Sequence, residues 1–260
     1  MTKKILQSFF LGIILLLMYL PILILAIYSF TDSAVIGKSG RFSLKNYIYL
    51  VQSDDLKQMI IATLILALIV AVISTCLGTI GAIGAFYSTK KFRNPIQLMN
   101  QIPVVNADVV TGFSICVLLI VFFKMDKASY IPLVIGLVSL CSPFVYLSVT
   151  PRLKQMDQEL YEAALDLGCS PWHALSKVVL PQLTQGIISG FMMSITLTLD
   201  DYFITTYTKP SMFDTISTYV VNATKGAQTD VKTALWALST ILFLAVICVV
   251  FTMNYTSRKE

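Results

Sequence analysis

Long apolar runs, separated by short polar stretches, dominate the chain. Six of them reach the length of about 20 residues that a helix needs to cross a hydrocarbon core of roughly 30 Å. They are Phe9–Phe30, Ile60–Tyr87, Ile96–Phe123, Tyr130–Val149, Leu183–Tyr207 and Ala234–Met253. Pro103, Asn106 and Asp108 interrupt the third. The first is too long, and too lacking in a small-residue cleavage site, to be a signal peptide. Open strands cannot satisfy their backbone in lipid, so the pattern predicts an all-α membrane protein with six transmembrane helices bundled together.

The longest stretch that cannot sit inside a membrane is Gln158–Pro181, and its pattern changes halfway along. Leu160, Ala163, Ala164 and Leu167 recur at helical spacing, with Gln158, Glu159, Glu162 and Asp166 on the remaining face. Gly168 supplies a left-handed stop. Ser170 is a good N-cap, Pro171 suits a first helical turn, and Trp172, Leu175, Val178 and Val179 form a second run that Pro181 ends. By shape alone this is an amphipathic helix pair at the membrane surface, joining two spans across a built corner.

Composition agrees with the pattern. Hydrophobic residues make up 56% of the chain, charged residues 13%, and the mean hydropathy is +0.78, values that exclude an ordinary soluble domain. Basic residues divide almost evenly between the two sides, so the short loops decide orientation. The second loop carries Lys90, Lys91 and Arg93 with no acid among them, which places it, both termini and the Gln158–Pro181 stretch in the cytoplasm. The net charge of +5 then reflects membrane topology and gives no reason to expect a nucleic-acid partner.

Carboxylates in apolar surroundings are the informative exceptions. Only Asp108, Asp200 and Asp201 fall within the predicted spans, and none has a basic neighbour in its own span. Such charges are costly in lipid and mark a cavity, a partner or a transport path. At about 1.5 Å per residue, Asp108 would lie on the order of 20 Å from Arg93 and Asp200 roughly 26 Å from Leu183, at comparable depth. Helical spacing along one continuous fifth span would put Thr196, Asp200, Phe203 and Tyr207 on one face. A carboxylate, a hydroxyl and two aromatic rings suit an organic cation and repel an anion. The competing readings are a solvated outer helix end for Asp200 and Asp201, and a hydrogen-bonded kink beside Pro103 for Asp108.

Other features add little chemistry. Gly37-Lys38-Ser39 resembles the end of a phosphate-binding loop, but Asp32 occupies the upstream glycine position. The chain is therefore expected to hold no nucleotide or other cofactor of its own. Asn222-Ala223-Thr224 is a chance-level glycosylation triplet. Cys76, Cys116, Cys141, Cys169 and Cys248 form no CxxC pair, and His173 stands without metal-ligand neighbours, so no metal site is expected. Gly78, Gly81 and Gly84 on the second span, and Gly186 and Gly190 on the fifth, suit close helix packing, either within the chain or against a partner.

The residues Glu162-Ala163-Ala164, Gly168 and Leu180-Pro181 resemble the EAA signature of ABC importer permeases, with Val178 where that family carries Ile. The likeness extends over essentially the whole chain to PotC-type permeases of spermidine/putrescine importers. It runs through Tyr19-Leu20-Pro21, Asp108-Val109-Val110, Ser142-Pro143-Phe144 and Pro151-Arg152-Leu153, and is nearest from the Glu162–Gly168 stretch to Thr196-Leu197-Thr198-Leu199-Asp200-Asp201.

This resemblance implies a type I (MetI-like) permease bundle in the cell membrane, one domain over residues 1–260 with a cytoplasmic coupling loop at 151–182. It implies a second permease of the PotB type, an ATPase dimer of the PotA type that binds the ATP and Mg, and an extracytoplasmic polyamine-binding protein of the PotD type. The chain itself would hydrolyse nothing. Glu162, Ala163, Ala164, Gly168, Val178, Leu180 and Pro181 would couple to the ATPase, and Asp108, Asp200, Asp201, Thr196, Phe203 and Tyr207 would line the polyamine path. An importer of anions or metal chelates would need a basic cavity, and no Lys or Arg lies within a predicted span. A stand-alone channel or secondary transporter would leave the corner at Gly168–Pro171 without a purpose, and no inverted repeat supports it.

Overall fold

The computed structural model describes residues 2–32, 40–157, 159–225, 236–241, 243, 244 and 247. Gly37-Lys38-Ser39, Cys248 and most of the expected sixth span lie outside them. The chain divides into two compact units, one drawn from Met1–Gln58 and Val220–Glu260 and the other formed by Met59–Tyr219.

In the first unit, α1 (Thr2–Ser29) is followed by α2 (Lys45–Gln52). The apolar face of α1 from Phe9 to Met18 is exposed, as a helix facing lipid or a partner helix must be. Its end is tied down by polar contacts. Buried Asn46 donates to the carbonyls of Ser29 and Thr31, each at 3.0 Å, and the Ser29 and Tyr47 hydroxyls lie 2.8 Å apart. Phe30 packs against Phe42 and Tyr47, and Tyr28 meets Trp236 edge-on.

α3 (Asp54–Tyr87) runs into the second unit, where α4 (Lys90–Val105), α5 (Asp108–Cys116) and α6 (Ile131–Gln155) follow. α5 continues as a π-turn at Val117–Phe122. α7 (Glu159–Asp166), α8 (Pro171–Ala174), a π-turn at Leu175–Val179 and α9 (Leu180–Gln182) form the polar stretch. α10 (Thr184–Asp200), α11 (Phe203–Thr208) and α12 (Ile216–Lys225) complete the labelled helices.

Three helices, Phe9–Ser29, Asp54–Tyr87 and Ile131–Gln155, are long and apolar enough to cross a membrane unbroken. Two expected spans differ from straight rods. The third is a bent pair, α4 and α5, at 107°. Asn106 and Ala107 are extended at the break, and the Asn106 amide donates to the Thr111 hydroxyl. A straight-helix distance from Arg93 to Asp108 therefore does not apply. The fifth bends by 70° from the Pro171–Gln182 segment, and α10 stops at Asp200 instead of running on to Tyr207.

α6 is the hub of the second unit. Leu133, Leu137, Val145, Val149 and Leu153 on it are wholly buried. Glycines let its neighbours approach: a Cβ on Gly78 would lie 2.6 Å from the Val145 Cβ, and one on Gly190 3.0 Å from Val145 Cγ1. One on Gly186 would lie 3.1 Å from the Ser148 carbonyl. These glycines thus pack α3 and α10 onto α6 within the chain. Gly84 meets nothing within 4 Å. Several buried hydroxyls are satisfied locally, with Ser74 donating to the Val70 carbonyl at 2.7 Å and Thr198 to the Ser194 carbonyl at 2.8 Å. Such bonds carry polar side chains through an apolar bundle, whereas the Thr75 and Thr79 hydroxyls on α3 are buried without a hydrogen-bond partner among the described residues.

Candidate functional site

At one end of the second unit, the polar stretch folds as a rigid corner. The Asp157 carboxylate accepts from the Glu159 N–H at 3.0 Å and starts α7. Gly168 adopts φ +83°. Its N–H donates to the Leu165 carbonyl at 2.9 Å, and the Cys169 N–H reaches the Ala164 carbonyl at 3.1 Å. This pair of bonds is the Schellman arrangement that closes a helix at a left-handed residue. Ser170 then caps α8, accepting from the His173 N–H, while its hydroxyl lies 2.8 Å from His173 Nδ1. Pro171 stands in the first turn, as its missing N–H allows.

Ala164 is buried at this corner, whereas Glu162 and Ala163 are exposed. Tyr161 packs its ring 4.9 Å from that of Tyr87, joining α7 to the end of α3. Val178 and Leu180 are half-buried, and Pro181 is exposed. Pro181 does not end the helix outright. The preceding turn widens to a π-turn, the helix runs to Gln182, and the chain bends at Leu183. Loss of the proline N–H and the clash of its ring with the preceding turn make this local widening favourable. Leu167 and Trp172 are 86% and 77% exposed. They make the corner's open face apolar.

The acids gather elsewhere. α5 and α11 run side by side in the same direction: Gly112 lies against the Ile204 backbone, and Cys116 Sγ donates to the Tyr207 carbonyl at 3.3 Å. One turn upstream of these contacts stand Asp108 on α5 and the Asp200-Asp201 pair before α11. Phe113 and Tyr207 meet edge-on at 5.9 Å. Asp108, Asp200 and Thr196 are exposed, Phe203 is 38% exposed and Tyr207 is half-buried. Thr196 and Asp200 thus belong to α10, and Phe203 and Tyr207 to α11. The single four-residue helical face is replaced by two short faces meeting at the break.

Asp201 is what makes the break. It is buried, and its carboxylate accepts the Thr205 N–H at 2.7 Å, the Thr205 hydroxyl at 2.8 Å and the Ile204 N–H at 3.4 Å. A side chain that satisfies the first donors of a helix acts as its cap. The sequence signal is an Asp four residues before a Thr, masked by the apolar run that continues across it. Lys209, the basic residue nearest in sequence, is engaged by Asp214 and the Phe213 carbonyl. Among the described residues, no cation pairs with Asp108, Asp200 or Asp201.

These geometries predict different effects for the paired acids. Asp201→Ala would leave buried donors without an acceptor, at about 1–3 kcal/mol each. The purified chain should therefore lose several degrees of Tm by thermal unfolding in detergent. Asp200→Asn, at an exposed position, should leave the Tm unchanged. Equal stability of the two variants would refute the capping role of Asp201.

Known proteins share both the sequence and this fold. The chain is 30% identical over 252 residues to the putrescine transport system permease protein PotI of Escherichia coli K12, covering 93% of this chain and 87% of that one. It is 26% identical over 262 residues to the spermidine/putrescine transport system permease protein PotC of the same strain, covering 100% and 97%. Among solved structures, a bacterial alginate ABC transporter in complex with an alginate pentasaccharide-bound periplasmic protein superposes with a TM-score of 0.73. That match has 18% identity and covers 99% of this chain and 95% of the other. Residues 77–259 match the binding-protein-dependent transport system inner membrane component family. Bundle, capped corner and family match agree: the chain belongs to the binding-protein-dependent transport system inner membrane components, as a multi-pass membrane permease.

Proposed function

We propose that the chain is one of two permease subunits of an ATP-driven ABC importer for polyamines, spermidine or putrescine. The observation that carries this reading is that Asp108, at the start of α5, and Asp200, at the end of α10, stand exposed and without a cation near Asp201. The names of the relatives point the same way. A flexible polycation matches carboxylates spaced along a path, and Phe203 and Tyr207 add ring faces for cation–π contact. Asp201 contributes by holding the α10–α11 corner, and Thr196 offers a hydroxyl one turn before Asp200. The fold by itself does not choose the solute, since it also serves an importer of the acidic polysaccharide alginate. An acidic path would repel such a polyanion.

In this reading the whole chain is one permease domain, with residues 151–182 as a cytoplasmic coupling loop and both termini cytoplasmic. ATP and Mg sit on a separate ATPase dimer of the PotA type. A PotB-type permease completes the path, and a PotD-type binding protein delivers the substrate. Closure of the ATPase pair moves the α7–α8 corner as a rigid lever, because both of its helices are capped and cannot fray. Glu162 meets a basic or donor group on the ATPase, and Ala163 and Ala164 permit close approach. Gly168 sets the angle, while Val178, Leu180 and Pro181 pass the motion to α10.

The test is uptake of radiolabelled putrescine, spermidine and a control amino acid into proteoliposomes. These hold the chain with its co-purifying partners, with and without internal ATP. ATP-dependent uptake of a polyamine alone is expected. Asp108→Asn and Asp200→Asn should each lower it about ten- to a hundredfold, the loss of one charge-assisted contact, with the complex still assembled. Uptake at the wild-type rate in both variants would remove these acids from the path, and uptake that ignores ATP would overturn the permease reading.

A further inference from the structure

At the coupling end of the second unit lies a cavity of about 200 Å³ between α3, α4 and α6. Its polar wall holds Arg93, Asn94 and Gln97 of α4 with Lys154 and Tyr146 of α6, and Ala82 and Phe86 of α3 form an apolar wall. No carboxylate lines it. Among the described residues, neither the Arg93 guanidinium nor the Lys154 ammonium has an ion-pair partner. Glu162 lines only the neighbouring cavity, together with Arg93, Tyr87 and Tyr161.

We propose that this cavity seats the phosphate of an anionic phospholipid headgroup. Arg93 presents the planar fork that fits phosphate oxygens, and Lys154 adds a point charge. The Asn94 and Gln97 amides and the Tyr146 phenol, whose ring is buried, supply further donors. The apolar wall accommodates the glycerol and the first methylenes of an acyl chain.

Lipid is favoured over free phosphate or an acidic protein segment by the other face of α4. Phe92 and Met99 are 67% and 70% exposed, and with Ile96 at 39% they form a stripe at helical spacing. Such a helix lies in the membrane interface with that stripe among acyl chains, which holds the cavity at headgroup level. A basic pocket between spans at the surface of an anionic leaflet is suited to lipid headgroups. Two uncompensated cations exclude a polyamine from the same space. Arg93 and Lys154 stand toward the end of α6, whereas α11 packs nearer its start with Ile204 against Gly136, so the seat is separate from the proposed path. Because Arg93 also borders α7 through the neighbouring cavity, the lipid braces the start of α4 beside the coupling corner.

The assembled complex, in nanodiscs of phosphatidylcholine with and without phosphatidylglycerol, provides the test, with native mass spectrometry reading the lipid retained. Wild type should retain phosphatidylglycerol in preference to phosphatidylcholine. Arg93→Gln with Lys154→Gln should weaken retention about thirtyfold, and Lys154→Gln alone, at an exposed position, about fivefold. Arg93→Lys with Lys154→Arg should keep it. Millimolar inorganic phosphate should not displace it. Equal retention by wild type and the glutamine variants, no preference between the two lipids, or binding of inorganic phosphate in place of lipid would each overturn the proposal. A carbodiimide cross-link from Lys154 to an acid of a partner subunit would do so as well.

Discussion

Gly78→Leu is expected to prevent the chain from forming a stable bundle. Already at the first carbon, a side chain on Gly78 would stand 2.6 Å from the Val145 Cβ and 2.8 Å from the Ser142 carbonyl. Neither neighbour can withdraw: Val145 is wholly buried in the central core, and Ser142 presents backbone. Forcing atoms into a packed interior costs typically 1–3 kcal/mol for a modest excess. Leucine adds far more volume than α3 and α6 can absorb without separating. Gly84→Ala on the same helix supplies the control. Its Cβ meets nothing within 4 Å, and alanine is favoured over glycine inside a helix by up to about 1 kcal/mol. Thermal unfolding in detergent should show Gly78→Leu lost or deeply destabilised and Gly84→Ala at or above wild type. Comparable behaviour of the two would mean that α3 and α6 do not pack through Gly78.

Gly168→Pro should insert and assemble normally yet lose substrate-stimulated ATPase activity in the complex. Proline holds φ near −65°, whereas this position requires +83°. It also removes the N–H that donates to the Leu165 carbonyl. The corner between α7 and α8 would open while the transmembrane core, which Gly168 does not touch, stays intact. Gly168→Ala separates conformation from bulk, because the added methyl meets nothing within 4 Å. Its cost is the left-handed backbone alone, about 1–2 kcal/mol, and most of the stimulation should survive. Glu162→Lys reverses a charge on the exposed face of α7 and should likewise abolish stimulation with normal insertion. Full coupling in Gly168→Pro would show that the corner angle does not transmit the ATPase motion.

Much of this protein is legible along the chain because lipid imposes its demands locally. A span must be apolar over its length and helical throughout, so runs of residues locate α1, α3 and α6 without knowledge of their neighbours. The corner at Gly168–Pro171 is equally local: Gly168, Ser170 and Pro171 act on their own turns, and the structure realises each cap where the residues stand. The breaks were harder to read. Asp201 lies in an uninterrupted apolar run, and only the return of Ile204 and Thr205 to its carboxylate shows that it caps a helix.

Local pattern therefore determined the helical class, the long spans, the corner and the unusual acids, since each depends on residues within a turn or two. Tertiary structure decided the rest. It brought Asp108 near Asp201 by packing Gly112 on Ile204, turned Gly78, Gly186 and Gly190 toward α6, and brought Arg93 and Lys154 to one cavity. These pairings join residues tens of positions apart. Their partners are selected by packing shape and by charges left unpaired, which no single stretch of the chain contains.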